Sequence, residues 1–305
     1  MRVFVTGASG HIGSALVPEL IEHGHQVVGL GRSDRSAAML EAAGAEVRRG
    51  DLDDLDGLGE AAAAADAVVH LAFKHEAMRS GDFLGAVADD LKAIETMGAA
   101  LEGTGKPFVG TGGTLMLALS GIKGRAGTEQ DLVTGGPRVD AENTIIGFAE
   151  RGVRSSLIRL SPIVHSSLDH HGFSHVLIGI ARATGVSGYV ADGANRWPGV
   201  HTLDAARLYR MALESAPAGS RLHGVADEGV PFKDIAEVIG RRLDVPVTSI
   251  APQDADEHFG FLGNFAGLDN WTSSAATRQL LGWKPTHEGL LDDLAHGHYF
   301  DDVTA

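Results

Sequence analysis

The sequence predicts an α/β fold: a doubly wound parallel sheet with a smaller C-terminal lobe. Three observations predict it. Short apolar, strand-like runs alternate with helical stretches through the first half of the chain, which is the pattern of a parallel sheet covered by helices on both faces. A run of three glycines, Gly7, Gly10 and Gly13, separates the first strand from the first helix. Beyond about residue 161 the alternation loosens, so a second, differently built lobe is expected there.

The first strand is expected over residues 2–6, Arg-Val-Phe-Val-Thr. Gly7 permits a tight turn out of it, Gly10 lets backbone N–H groups approach a diphosphate, and Gly13 lets the following helix sit close on the sheet. Ile12, Leu16 and Leu20 give that helix an apolar stripe, and Gly24 is placed to end it. Pro18 removes one backbone hydrogen bond inside the helix, so a local kink is expected. Further strands are expected at 26–30, 46–48, 67–71, 107–110 and 156–160, and the alanines at 61–65 fall in a helical interval. A loop-rich stretch is expected from 165 to 197, with helical periodicity resuming at 203–213 and around Ile235, Val238 and Ile239. This divides the chain into a nucleotide-binding domain, 1–161, to which segments at about 199–227 return, and a substrate lobe over most of 162–305.

Composition narrows the function. The chain has 305 residues, and its 40 acidic side chains against 25 basic ones leave a net charge of −15; no basic stripe offers itself to a nucleic-acid backbone. Without cysteine there are no disulfides, thiolate metal sites or cysteine nucleophiles. No apolar run approaches the ~18–20 residues that span a bilayer, and the first strand begins at once with no basic leader. A cytoplasmic protein with a small-molecule substrate, and neither a nucleic-acid nor a membrane partner, is therefore expected.

The run Thr6-Gly7-Ala8-Ser9-Gly10-His11-Ile12-Gly13 resembles the cofactor loop of extended, epimerase-like short-chain dehydrogenases/reductases. The resemblance implies a Rossmann-type fold, with Ser9, His11 and Ile12 joining the three glycines around the cofactor. It extends to Leu281-Gly282-Trp283-Lys284-Pro285, similar to a closing motif of the family, and implies a homodimer. The second strand runs into Arg32, Ser33 and Arg35 where NAD-preferring sites carry an acidic residue. A guanidinium there binds a 2′-phosphate through paired hydrogen bonds, so NADP(H) is favoured over NAD(H). Asp51 and Leu52 resemble the family's adenine-edge motif, while Leu71, Ala72 and Phe73 match the stretch lining the cofactor ribose. By the same likeness Pro162, Ile163 and Val164 lie beside the nicotinamide.

Members of that family usually answer the charge developing in hydride transfer with Tyr-x-x-x-Lys. Here the pair is missing: the three tyrosines, Tyr189, Tyr209 and Tyr299, are followed four residues on by Gly193, Leu213 and Val303. Counting back from Glu142 puts Arg138 at the lysine position and Thr134 at the tyrosine position. Arg138 keeps a positive charge for the ribose but is a poor proton donor. Thr111 or Thr114 is expected to hydrogen-bond the substrate carbonyl. His165 is the leading proton-donor candidate because imidazole is the side-chain type suited to proton transfer at physiological pH, with Tyr189 second. His171 and His175 share a helix face if a helix starts there, but no acidic residue is well spaced beside them and no metal site is expected. These readings converge on an NADP(H)-dependent oxidoreductase acting on a small carbonyl or activated alkene with a non-standard proton donor. The alternatives are a catalytically silent NADP(H) sensor and an epimerase or dehydratase with retained nicotinamide.

Overall fold

The computed structural model describes residues 1–134, 136 and 138–301, the side chains at 78 and 79 excepted. Its first half alternates β1 (Arg2–Thr6), α1 (His11–Glu22), β2 (Gln26–Gly31), α2 (Asp34–Ala42), β3 (Glu46–Arg49), α3 (Leu55–Ala64) and β4 (Ala67–His70). Then come α4 (His75–Arg79), α5 (Phe83–Ala99), β5 (Pro107–Gly113), α6 (Leu115–Leu119), α7 (Val139–Gly147) and β6 (Arg154–Leu160). Each strand expected from the sequence over this half is present, and α1 runs on through Pro18.

The second half contributes β7 (Ile163–His165), α8 (Phe173–Thr184), β8 (Ser187–Val190), β9 (Arg196–His201), α9 (Thr202–Ser215) and β10 (Ser220–Gly224). After these come β11 (Asp227–Pro231), α10 (Phe232–Leu243), β12 (Val247–Ile250), α11 (Ala255–Phe259), α12 (Gly263–Ala266), α13 (Ala275–Leu281) and α14 (Leu290–Leu294). The loop expected over 165–197 is corrected by α8. Phe173, Val176, Leu177, Ile180 and Ala181 form a stripe that packs into the lobe core, and Gly185 ends the helix with φ +72°.

Seven parallel strands form the main sheet in the order β10-β6-β5-β4-β1-β2-β3. The two-residue period of β1 assigns its side chains to opposite layers. Val3 and Val5 pack with Leu16 and Leu20 of α1 and with Leu208 and Ala212 of α9, whereas Phe4 packs with Ala93, Ile94 and Met97 of α5 and Ile145 of α7. Each fully buried leucine or isoleucine here contributes roughly 1.5–3 kcal/mol. A separate apolar cluster holds the lobe together, with Ile163, Leu177, Trp197, Phe232, Ile235 and Leu290 at its centre. It is backed by a three-stranded sheet, β11-β9-β7, and a two-stranded pair, β12-β8. Trp283 of the closing motif is fully buried and donates its indole N–H to the Asp204 carbonyl on α9 at 3.0 Å. Among the described residues no helix is long and apolar enough to cross a membrane.

Strand order reverses between β1 and β4. In such sheets the crevice beyond the strands' carboxyl ends, at this reversal, is where ligands bind.

Candidate active site

The glycine turn lies at that reversal and is too tight for side chains. Gly7 has φ +67°, and a Cβ there would stand 2.7 Å from the Ala72 nitrogen and 2.9 Å from the Leu71 carbonyl carbon. On Gly13 a Cβ would meet the Gly7 carbonyl oxygen at 2.2 Å. Gly10 N–H donates to that same oxygen at 2.9 Å and opens α1 with no capping side chain and no acidic residue in the first turn. The first N–H groups of a twelve-residue helix therefore face the crevice without a protein acceptor, which makes an anion site. Ser9 is half-buried beside it, and Ile12 packs down on the apolar layer.

His11 takes a different part from the one the resemblance implies. Its Nε2 lies 2.7 Å from Thr202 Oγ1 at the start of α9, and its Nδ1 lies 3.9 Å from the buried Asp169. Burial holds its pKa below the ordinary value, although Asp169 pulls the other way. The ring ties α1 to α9, so the residue offers an anion its backbone.

At the end of β2 the Arg32 head is 67% exposed and pairs with Glu76 across open solvent at 3.2 Å. Ser33 caps α2: its Oγ accepts from Ser36 N–H, and Ser36 Oγ accepts from Ser33 N–H. Asp51 is exposed and accepts from Asp53 N–H at 2.9 Å, while Leu52 is buried under the sheet. Ala72 N–H donates to Thr6 Oγ1 at 3.3 Å.

A buried polar chain runs along the same edge. Thr6 Oγ1 lies 2.7 Å from His70 Nδ1, and His70 Nε2 lies 3.0 Å from Asp90 Oδ1. Arg138 donates through Nη2 to Asp90 Oδ2 at 3.0 Å and to the Thr111 carbonyl at 3.2 Å. Thr6, His70 and Asp90 are fully buried. Burial pushes the Asp90 carboxyl up, but the His70 hydrogen bond and the Arg138 charge together hold it below the usual range. The carboxylate thus stays ionised and fixes the guanidinium, which lies 4.7 Å over the Phe73 ring with its Nε unpartnered although buried.

Sequence reading missed Thr6, His70 and Asp90. The available signal was an aspartate on the apolar face of α5, four residues after Ala86 and three before Ala93. A charge on a buried stripe needs a partner.

The residues expected to serve as catalytic donors are mostly engaged. Thr111 donates to the His70 carbonyl at 2.7 Å, so the Tyr209 hydroxyl, also 2.7 Å from Thr111 Oγ1, is the donor in that contact. Burial raises the Tyr209 pKa well above its usual value. Thr114 is fully buried and accepts from Asn270 Nδ2 at 3.0 Å, which removes it from the crevice. His165 is also fully buried; its Nδ1 lies 2.9 Å from Asp293 Oδ2 and its Nε2 has no partner. Tyr189 stands half-buried on β8 with the Lys233 ammonium 5.6 Å over its ring. Thr134 is exposed. Ile163 is buried in the lobe core, Val164 packs against the main-sheet layer, and Pro162 just before them is half-buried. Glu142 is buried against Arg159 and Arg221 and braces β6.

His175 donates through Nε2 to the Asp169 carbonyl at 2.7 Å, so that nitrogen is not free to join His171 at a shared ion. Among the described residues, metal-ligating groups converge instead near the C-terminus: Asp293 with His296 and His298, and Asp293 with His201 and Glu288.

Comparison with known proteins agrees with this geometry. The description "NAD dependent epimerase/dehydratase family" matches residues 3–90. Uncharacterized protein C2A9.02 of Schizosaccharomyces pombe is 48% identical over 302 residues, covering 98% of this chain and 100% of that one. Uncharacterized protein YLL056C of Saccharomyces cerevisiae is 43% identical over 299 residues, 96% of this chain and 98% of that one. Among solved structures, the dTDP-glucose 4,6-dehydratase DesIV of Streptomyces venezuelae, with NAD and TYD bound, superposes with a TM-score of 0.76 over 97% of this chain and 95% of its own. At 19% identity that likeness shows the fold. With the glycine turn at the switch point, the matching family description and near-full-length relatives, the chain belongs to the NAD dependent epimerase/dehydratase family of the extended short-chain dehydrogenase/reductase superfamily.

Proposed function

We propose that the chain is an NADP(H)-dependent oxidoreductase that delivers hydride to a small carbonyl compound or to an alkene conjugated with one. The observation that carries this reading is the uncapped N-terminus of α1 over the glycine turn, with the Arg138 guanidinium fixed along the same sheet edge. The DesIV structure contains NAD, which supports a nicotinamide dinucleotide; Arg32 at the end of β2, with Arg35 beyond it, supports the phosphorylated form. Bound there, the cofactor supplies the hydride.

Hydride addition to either substrate builds negative charge on the carbonyl oxygen. Arg138 answers that charge electrostatically, because its guanidinium stays protonated and is held by Asp90. Such a group stabilises an oxyanion without giving up a proton. The conjugated alkene fits best, since its proton arrives at a remote carbon from solvent.

One observation favours a second reading, a silent NADP(H) sensor: Thr111 and Thr114 are hydrogen-bonded to other protein groups, and His165 is fully buried against Asp293. The purified protein with NADPH or NADH and a panel of small aldehydes, ketones and enones separates the two. Enone-dependent loss of nicotinamide absorbance with NADPH is expected. Tight binding without turnover points to the sensor, and no binding of either dinucleotide overturns both.

A further inference from the structure

We propose that His296, His298, Asp293 and Glu288 form a zinc-class divalent cation site that pins the C-terminal turn to the lobe. Donor atoms of Asp293, His296 and His298 lie within 4.8 Å of one another, and so do those of His201, Glu288 and Asp293, with Asp293 common to both groups.

Two distances decide how these contacts are read. His298 Nε2 is 3.5 Å from Asp293 Oδ1, and His296 Nδ1 is 3.4 Å from Glu288 Oε1. Both exceed ordinary hydrogen-bond lengths. They match the roughly 3.4 Å that separates neighbouring ligands around a tetrahedral ion with bonds of about 2.0–2.1 Å. His298 Nε2 is correspondingly buried with no hydrogen-bond partner, a state that is costly unless something else satisfies the atom.

The surroundings suit a metal ligand set. Fully buried His165 holds the other oxygen of Asp293 through Nδ1 at 2.9 Å, which turns Oδ1 toward His298. This is the kind of outer partner that orients a ligating carboxylate. Two imidazoles select a zinc-like ion over magnesium or calcium. His296 is 56% exposed, which gives the ion an entry path. With Glu288, beside His296, completing the Asp293–His296–His298 triad, the site would have no open position and would be structural. It would anchor the turn carrying Tyr299, whose hydroxyl accepts from Ser166 N–H at 3.1 Å and lies 3.5 Å from Asp169. The sequence signal is His-x-His with an aspartate three residues before it, at 293, 296 and 298.

The test titrates Zn²⁺ and Co²⁺ into the chelator-treated full chain. The expected result is one saturable equivalent, visible d–d bands of tetrahedral Co²⁺ and a raised melting temperature with Zn²⁺. His298→Ala and His296→Ala should each abolish the bands while keeping the native circular dichroism spectrum. His165→Ala should weaken Zn²⁺ affinity by roughly 10- to 100-fold. As control, His23→Ala, on an exposed helix end beside Glu19, should leave binding unchanged. The proposal is overturned if Co²⁺ shows only octahedral spectra, if binding survives in both His296→Ala and His298→Ala, or if His23→Ala removes it.

Discussion

At the scale of single residues, Arg32 and Asp90 show two opposite uses of charge. Arg32 is solvent-exposed and its pairing with Glu76 is a surface contact worth little to the fold, so its value lies in what it binds. Arg32→Glu should raise the NADPH dissociation constant by roughly 10- to 100-fold, the worth of one charge-assisted hydrogen bond, and leave NADH binding nearly unchanged. Calorimetric titration with both dinucleotides checks this, and an equal loss for the two removes the phosphate assignment. Asp90 is the reverse case. Asp90→Ala leaves the Arg138 cation and His70 facing a void, and breaking a buried pair from one side costs about 3–5 kcal/mol. Urea unfolding should register that loss, and Asp90→Asn, which keeps the volume, should lose less.

The same scale shows why part of the site was legible in the sequence and part was not. Gly7, Gly10 and Gly13 are readable because their function is local: a turn, a helix start and a close approach all happen within one stretch of chain. The Thr6–His70–Asp90–Arg138 chain joins four segments, and nothing in the neighbourhood of any one of them names the others. Thr114 misled because a threonine at a strand end looks alike whether its hydroxyl faces a crevice or Asn270, 156 residues away.

At the scale of elements, α1 is held by a backbone fit rather than by a cap. A Cβ at residue 13 would lie 2.2 Å from the Gly7 oxygen and 2.6 Å from two Ala8 backbone atoms, and backbone cannot rotate away as a side chain can. Gly13→Ala should therefore displace the helix start and abolish dinucleotide binding. Near-native melting in that variant would identify the defect as local. The long strand-helix alternation made β1 through β6 readable: β1 and β4 are buried on both faces and read as apolar runs, while the charged edge strand β3 is marked by its place in the alternation. Helix α8 escaped because histidines and glycines crowd its start and hide an ordinary apolar stripe. Strand β10, Ser220–Gly224, reads as polar because Arg221 and His223 face the Glu142–Arg159 cluster.

At the scale of the whole molecule, that cluster couples folding to acidity. His223 is fully buried, and burial pushes its pKa down to about 4 against the pull of nearby carboxylates. The unfolded chain takes up this proton near pH 6.5, whereas the folded chain resists until about pH 4. The stability tied to a neutral His223 is thus whole above about pH 6.5 and falls away as pH drops toward 4, by a few kcal/mol in all. Chemical denaturation between pH 4 and 8 should show the slope, and His223→Gln should flatten it.

The position of β10 has a consequence for any attempt to cut this protein into parts. Its partner β6 would otherwise be the sheet's margin, yet β10 arrives only after the chain has visited the lobe and come back. A fragment ending at residue 161 would carry the entire glycine turn but strip one side of β6 of its hydrogen-bond acceptors and donors, an open template for other chains. Such a piece should precipitate or form strand-swapped aggregates on expression, as sedimentation beside the full chain would reveal.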